Sequence, residues 1–237
     1  MPSKWVPLEA SPEVFTEWSQ SLGLPESGPL VFQDLFSLDP EFLQFIPQPV
    51  KAVLLLFPSR GALAQAREDE EKNGEGKFEG QSVWWIKQTI SNACGSIGLL
   101  HALLNLPDTG AYALAADSPL RQFKAETLPL PPLERAKKLD EATFFESAHT
   151  TAAQAGQSAV PEDLDVDTHF IAFIEAINDK GERRVVELDG GREGPFDRGL
   201  CTDLLRDTAK IVQEKYIDRA DGDINFNMIV LAGQPED

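Results

Sequence analysis

The chain has 237 residues, 42% of them hydrophobic and 25% charged, which is enough for one sizeable core and is expected to form a single domain, 1–237. Its 39 acidic and 21 basic residues leave a net charge of −18, a field that repels phosphate backbones and so argues against nucleic acid while favouring a basic partner; acidity serving solubility alone is the alternative. Two cysteines make no disulfide framework, and the longest apolar run, Ala52 to Phe57, falls far short of the ~20 residues of a membrane helix. The opening "MPSKWVPLEASPEVF" lacks the basic start and apolar run of a signal peptide, so a reducing compartment, cytoplasmic or nuclear, is expected.

In chain order, "SPEVFTEWSQSLG" predicts a helix: Ser11 to cap it, Pro12 in the first turn, an apolar stripe of Val14, Phe15, Trp18 and Leu22, and Gly23 to end it. "DPEFLQFI" from Asp39 repeats the cap and proline on a shorter scale, and "VKAVLLLF" (50–57) reads as a buried strand. Residues 59–81 turn polar around "REDEEKNGEGK" and read as a solvated helix end running into a loop, with no chemistry assigned. "SVWWIKQ" (82–88) predicts a strand that leads into the helix carrying Cys94. "DSPLRQFKAE" and "PPLERAKKLDEATFFESAHTTAAQAG" are read as helices, the second broken near Asp140 and finished at Gly156. "QSAVPEDLDVD" (157–167) has no apolar period and reads as a loop. "THFIAFIEAI" and "RRVVELDG" flank the turn signal "NDKGE" and form a β-hairpin; "CTDLLRDTAKIVQEKYIDR" is helical, and "INFNMIVLAG" is a last strand. Interleaved helices and hairpin-connected strands predict an α/β fold, a mixed and largely antiparallel central sheet flanked by helices.

Chemistry concentrates at "QTISNACGSIGLLHALLN" (88–105). A thiolate is the reactive form of cysteine, and a helix amino terminus favours it. Asn92 is a candidate cap that would place Cys94 in the first turn, and Gly95 would leave room beside the sulfur for a substrate carbonyl. The competing reading is a buried, inert cysteine. A nucleophilic cysteine needs a base within hydrogen-bond reach. His101 is seven residues along the same helix, roughly 10 Å away, and cannot reach. His149 precedes the loop with nothing nearby in sequence to orient it. His169 opens a strand apolar on both faces (Phe170, Ala172 and Ile174 on one, Ile171 and Phe173 on the other), where a histidine is either satisfied in the core or functional. With Asn178 to Gly181 as the turn, His169 lies opposite Gly190 and beside Asp189, a carboxylate that could orient it. Gln88, six residues before Cys94, is either a surface glutamine or an oxyanion donor beside the Cys94 backbone N–H.

"WVPLEASPEVF", "PVKAVLLLFP", "KQTISNACGSIGLLHALLN", "AAQAGQ", "VDTHFIAF", "ELDG" and "FNMIVLA" together run through nearly the whole chain. In these segments the sequence resembles the ubiquitin C-terminal hydrolase family of cysteine proteases, in its short form with the catalytic domain alone. The resemblance implies a papain-like core with a knotted backbone, and a cofactor-free, cysteine-type thiol hydrolase that removes small adducts or peptides from the terminal glycine of ubiquitin. It implies Cys94 as nucleophile, His169 as base and then acid, Asp189 as orienting group and Gln88 as oxyanion donor. It also implies an active-site crossover loop within 157–167, and contacts to ubiquitin from Pro7, Leu8 and Glu9, from Gly156 and Gln157, and from Phe226 and Asn227. The expected partner is ubiquitin, whose basic tail suits the acidic chain, bound by a monomer without membrane or nucleic acid. The segment after Asp189, "GGREGPFDRG", departs from the usual family spacing. The chain ends soon after the last strand, an expectation against proteasome or chromatin partners. The alternatives are a ubiquitin-binding module with a silent site, or a redox protein using Cys94 and Cys201; the second lacks a CxxC pair, and Cys201 reads as structural.

Overall fold

The computed structural model describes residues 5–81, 83–156 and 166–235. The first helix, α1 (Pro12–Leu22), begins where the Ser11 hydroxyl accepts from the Val14 N–H and ends at Gly23 with φ 134°, so both predicted punctuation marks act. Its stripe of Val14, Phe15, Trp18 and Leu22 is buried. The short α2 (Pro40–Leu43) follows Asp39. Next come α3 (Gly61–Lys72), α4 (Cys94–Leu104), α5 (Pro119–Thr127), α6 (Pro132–Glu141) and α7 (Thr143–Ala155), the last two separated at Ala142 much as the pattern near Asp140 predicted. The last helix is α8 (Leu204–Lys215).

Six strands, β1 (Leu30–Asp34), β2 (Ala52–Pro58), β3 (Thr168–Ile177), β4 (Arg183–Leu188), β5 (Phe196–Leu200) and β6 (Asn227–Gly233), form one sheet in the order β1-β6-β2-β3-β4-β5. Every pairing between them is antiparallel, as the hairpin connections favour. β1 and β5, at the two edges, were not foreseen: both are short, and β5 carries the charged pair Asp197 and Arg198 in place of an apolar pattern.

Alternation along the central strands divides the core in two. Leu54, Phe170, Ala172, Val186 and Ile229 pack under α1, α4, α5 and α7. Val53, Leu55, Ile171, Phe173, Val185 and Val230 pack against α3 and α8. The apolar run in β3 is therefore buried on both faces, as its composition predicted.

Two sequence expectations are corrected. Val83 to Thr89 form no strand, although Trp84, Trp85 and Ile86 are buried. Side chains take the place of a neighbouring strand: Asn105 both donates to the Trp84 carbonyl and accepts from its N–H, at 2.9 and 2.8 Å, His101 accepts from the Ile86 N–H at 3.2 Å, and Arg135 donates to the Trp85 carbonyl at 2.7 Å. The β3–β4 turn takes five residues, Asn178 to Glu182, rather than four, with Gly181 at φ 79°. Ala172 pairs with Leu188, so the register runs one residue on from the predicted one, and continuing it puts His169 level with Gly191.

Candidate active site

The site lies where three segments converge at one end of the sheet. α4 brings Cys94 as its first residue, the start of β3 brings His169, and the residue just past β4 is Asp189. The sulfur is buried beside the His169 imidazole, with the backbone N–H groups of Phe170 and Gly95 near it. His169 Nε2 stands 2.6 Å from Asp189 Oδ1, which leaves Nδ1 to face the sulfur. Asp189 Oδ1 also accepts from the Gly191 N–H at 2.7 Å, while Oδ2 accepts from Arg67. The one-residue register shift matters little, because Asp189 lies beyond the paired strand and reaches His169 through its side chain.

Electrostatics follow from this geometry. Burial pushes the Cys94 thiol up, but the adjacent imidazole and the two N–H groups outweigh it, so its pKa is lowered. Burial pushes His169 down, yet the Asp189 charge and its hydrogen bond, together with the thiol, raise it to about 10. Burial would raise Asp189, but His169, Arg67 and the Gly191 N–H hold it far below the usual carboxylate range. Both shifts favour the thiolate and imidazolium form of the pair. Cys201, by contrast, is pushed up to about 12 by burial and by Glu175, 3.6 Å away.

Gln88 enters from the extended segment. Its backbone N–H donates to Gly190 at 2.9 Å, and its side-chain Nε2 donates to the Ile90 carbonyl at 3.1 Å. Its Oε1 is buried without a hydrogen-bond partner among the described residues. A Cβ on Gly190 would stand 2.8 Å from the Gln88 Cβ and 2.9 Å from Ile97, so glycine is required for the Asp189 segment to approach α4 this closely.

Three sequence readings give way here. Asn92 does not cap α4: it sits at φ 62°, its side chain donates to the Trp5 carbonyl at 3.0 Å, and Ala93 precedes the helix. The space beside Gly95 is not open to a substrate, because a Cβ there would lie 3.0 Å from the Leu8 side chain. His149 is firmly oriented, with Nδ1 2.9 Å from the Ser96 hydroxyl, Nε2 2.6 Å from the Val6 carbonyl, and its ring against Trp5. His101 is a buried packing residue stacked on Trp85, in keeping with its distance from the sulfur.

Of the remaining sequence-nominated positions, Leu8 lies against Gly95 at the start of α4, Glu9 lies by Gly156 just past α7, where a Cβ would meet it at 2.5 Å, and Pro7 precedes them in the chain. Gln157 and most of the 157–167 loop lie outside the described residues. Phe226 and Asn227 line a cleft of about 400 Å³ with Phe36, which is 91% exposed. Among the described residues no group of three or more His, Cys, Asp or Glu is placed to hold a metal ion.

The group that sequence reasoning missed is Arg67 with its neighbours. On α3, Leu63, Arg67 and Glu70 share the face turned to the sheet, and on β4 Glu187 points to that same side. The signal available was a carboxylate, Glu187, at a strand position whose neighbours demand burial, followed closely by Arg192 and Arg198.

Residues 5–217 match the family described as "Ubiquitin carboxyl-terminal hydrolase, family 1". The chain belongs to this family of cysteine-type hydrolases. Ubiquitin carboxyl-terminal hydrolase 3 of Arabidopsis thaliana is 37% identical over 232 residues, covering 97% of this chain and 94% of the relative. The rat ubiquitin carboxyl-terminal hydrolase isozyme L1 is 34% identical over 227 residues, covering 95% and 96%. In three dimensions the chain is similar to the Trichinella spiralis UCH37 catalytic domain bound to ubiquitin vinyl methyl ester, with TM-score 0.74, 23% identity, and 98% and 96% of the two chains covered. That likeness shows the fold: the α/β architecture expected from the resemblance is the one observed.

Proposed function

We propose that this chain is a thiol-dependent deubiquitinating hydrolase in which Cys94 attacks the carbonyl of ubiquitin's terminal glycine. The observation that carries the reading is one line of groups: the buried Cys94 sulfur beside His169, and His169 Nε2 2.6 Å from Asp189. In the proposed reaction the thiolate adds to the carbonyl carbon, and the oxygen takes up negative charge. The Cys94 backbone N–H, one of the helix's first groups without an intrahelical partner, and the second amide hydrogen of Gln88 receive that charge. His169 then gives its proton to the leaving amine or alcohol, and a thioester remains. Water, losing a proton to His169, attacks the thioester, and the thiolate is released beside the reprotonated imidazole. Asp189 holds Nε2 throughout, fixing which ring nitrogen faces the sulfur.

Ubiquitin as substrate follows from family membership and from the names of the relatives. The acidic balance of −18 supports a basic tail as the bound segment. Pro7, Leu8 and Glu9, near the start of α4 and the end of α7, suit contacts to that tail, and Phe226 and Asn227 suit contacts to the body of ubiquitin; Gly156 and Gln157 complete the set. Preference for small adducts rests on the resemblance alone. Turnover of a ubiquitin carboxyl-terminal amide tests the assignment. Cys94→Ala should abolish it with ubiquitin binding nearly intact, and Cys201→Ala should leave it unchanged; equal loss from both would refute it.

A further inference from the structure

On the Asp189 oxygen that His169 leaves free, α3 delivers an arginine from the opposite side. The guanidinium of Arg67 is hydrogen-bonded to Asp189 Oδ2, to Glu187 Oε1 at 3.1 Å and to the Tyr216 hydroxyl at 2.5 Å. It rests on the Phe57 ring, 4.7 Å from the ring centre, and the same ring meets His169 edge-on at 5.8 Å. Its side chain is only 13% exposed, so its place is set from all sides.

Arg67 is one part of a buried, charge-balanced cluster. Arg192 and Arg198 both bridge Glu187 and Glu70, at 2.7 to 3.0 Å, and Tyr216 donates to Glu187 at 2.6 Å. Three arginines (67, 192, 198) thus face three carboxylates (70, 187, 189), with Arg219 at the rim 3.6 Å from Glu70. A buried carboxylate needs a compensating partner. In this cluster Asp189 has one that does not depend on His169. That matters because His169 loses and regains a proton in the proposed reaction, whereas an arginine stays charged.

We propose that Arg67 is a positioning residue for the reaction, holding Asp189 ionised and aimed at His169 in both protonation states of the imidazole. It does so as a fork: one nitrogen serves Asp189 and the other serves Glu187 and Tyr216, which ties the carboxylate to the floor of the site. A lysine would supply the charge but not the two-sided bridge.

This inference rests on Asp189 as the orienting carboxylate, so the test is a double-mutant cycle on turnover of a ubiquitin carboxyl-terminal amide. Arg67→Met should lower kcat about 10–100-fold with KM within a factor of about two, the order expected when a reacting group loses its aim. In an Asp189→Asn background the same change should cost less than about two-fold further, and Arg67→Lys in the native background should recover part of the loss. A merely structural role would give equal losses in both backgrounds, and that result, or an unchanged kcat in Arg67→Met, overturns the inference. If Asp189→Asn alone leaves kcat intact, the orienting role of Asp189 falls first and this inference with it. Should Arg67→Met not fold, Arg67→Lys takes its place in the cycle, with a loss of about 3–10-fold expected only where Asp189 is present.

Discussion

On the α4 face of the sheet the polar side chains taken inside are uncharged hydroxyls and imidazoles, whereas on the α3 and α8 face charged groups are buried together. His101 and His149 are both held near pKa 4 by burial, each with a hydrogen bond that fixes one neutral tautomer. Across the sheet, Glu187 is wholly buried and held far below the carboxylate range: burial opposes its ionisation, but Arg198, Arg67 and Arg192 prevail. The candidate site lies at the seam. Its sulfur comes from the α4 face, where one imidazole and two N–H groups lower its pKa, and its carboxylate comes from the charged face, where it is anchored. The difference teaches that a buried sulfur can be served by one adjacent imidazole and a few N–H groups, while a buried carboxylate is held by several fixed cations.

The largest effect expected from breaking this contrast is on stability. Glu187→Gln would leave three arginines short of one buried carboxylate, and removing one partner of such a set costs about 3–5 kcal/mol. Urea unfolding should show that loss, and a loss under about 1 kcal/mol would mean the cluster is already well hydrated. On the other face, Gln88→Ala should leave stability nearly unchanged yet lower kcat about 10²–10³-fold, since an oxyanion donor acts on the transition state. A kcat within two-fold of the native value would remove Gln88 from the proposed mechanism.

The smallest effect separates the faces by pH. Burial lowers His101 and His149 from 6.5 to about 4, so as the pH falls through that window the unfolded chain takes protons that the fold refuses, and stability declines. Glu187 and Asp189 act in the same direction but at lower pH: their folded values are also depressed, so their contribution is present above about pH 4 and is lost only below it. Acid should therefore weaken the α4 face first. His149→Gln should reduce the slope of unfolding free energy between pH 6.5 and 4 by about one proton, or ~1.4 kcal/mol per pH unit. An unchanged slope would show that His149 titrates normally.

How far the sequence could be read follows the same division. α1, the hairpin and the Cys94 helix were legible because each is a local pattern: a cap and stripe, two apolar runs around a turn, an apolar helix behind a cysteine. Strand pairing made His169 and Asp189 legible as neighbours and a short spacing linked Gln88 to Cys94, but the two pairs were joined only through the family resemblance. The charge cluster was not legible. Arg67 and Glu70 sit in a polar stretch that reads as a solvated helix, and only the fold turns that face inward onto Glu187. The segment 83–89 misled for the converse reason: its buried tryptophans suit a strand, but its backbone is satisfied by Asn105, His101 and Arg135, side chains remote in sequence.

The most direct measurement is covalent capture by ubiquitin bearing a carboxyl-terminal electrophile, with the modified residue located by peptide mass spectrometry. The native chain should gain one ubiquitin, attached at Cys94. Cys201→Ala should label equally, and Cys94→Ala should bind ubiquitin without labelling. Attachment at Cys201, or undiminished labelling of Cys94→Ala, would contradict the account.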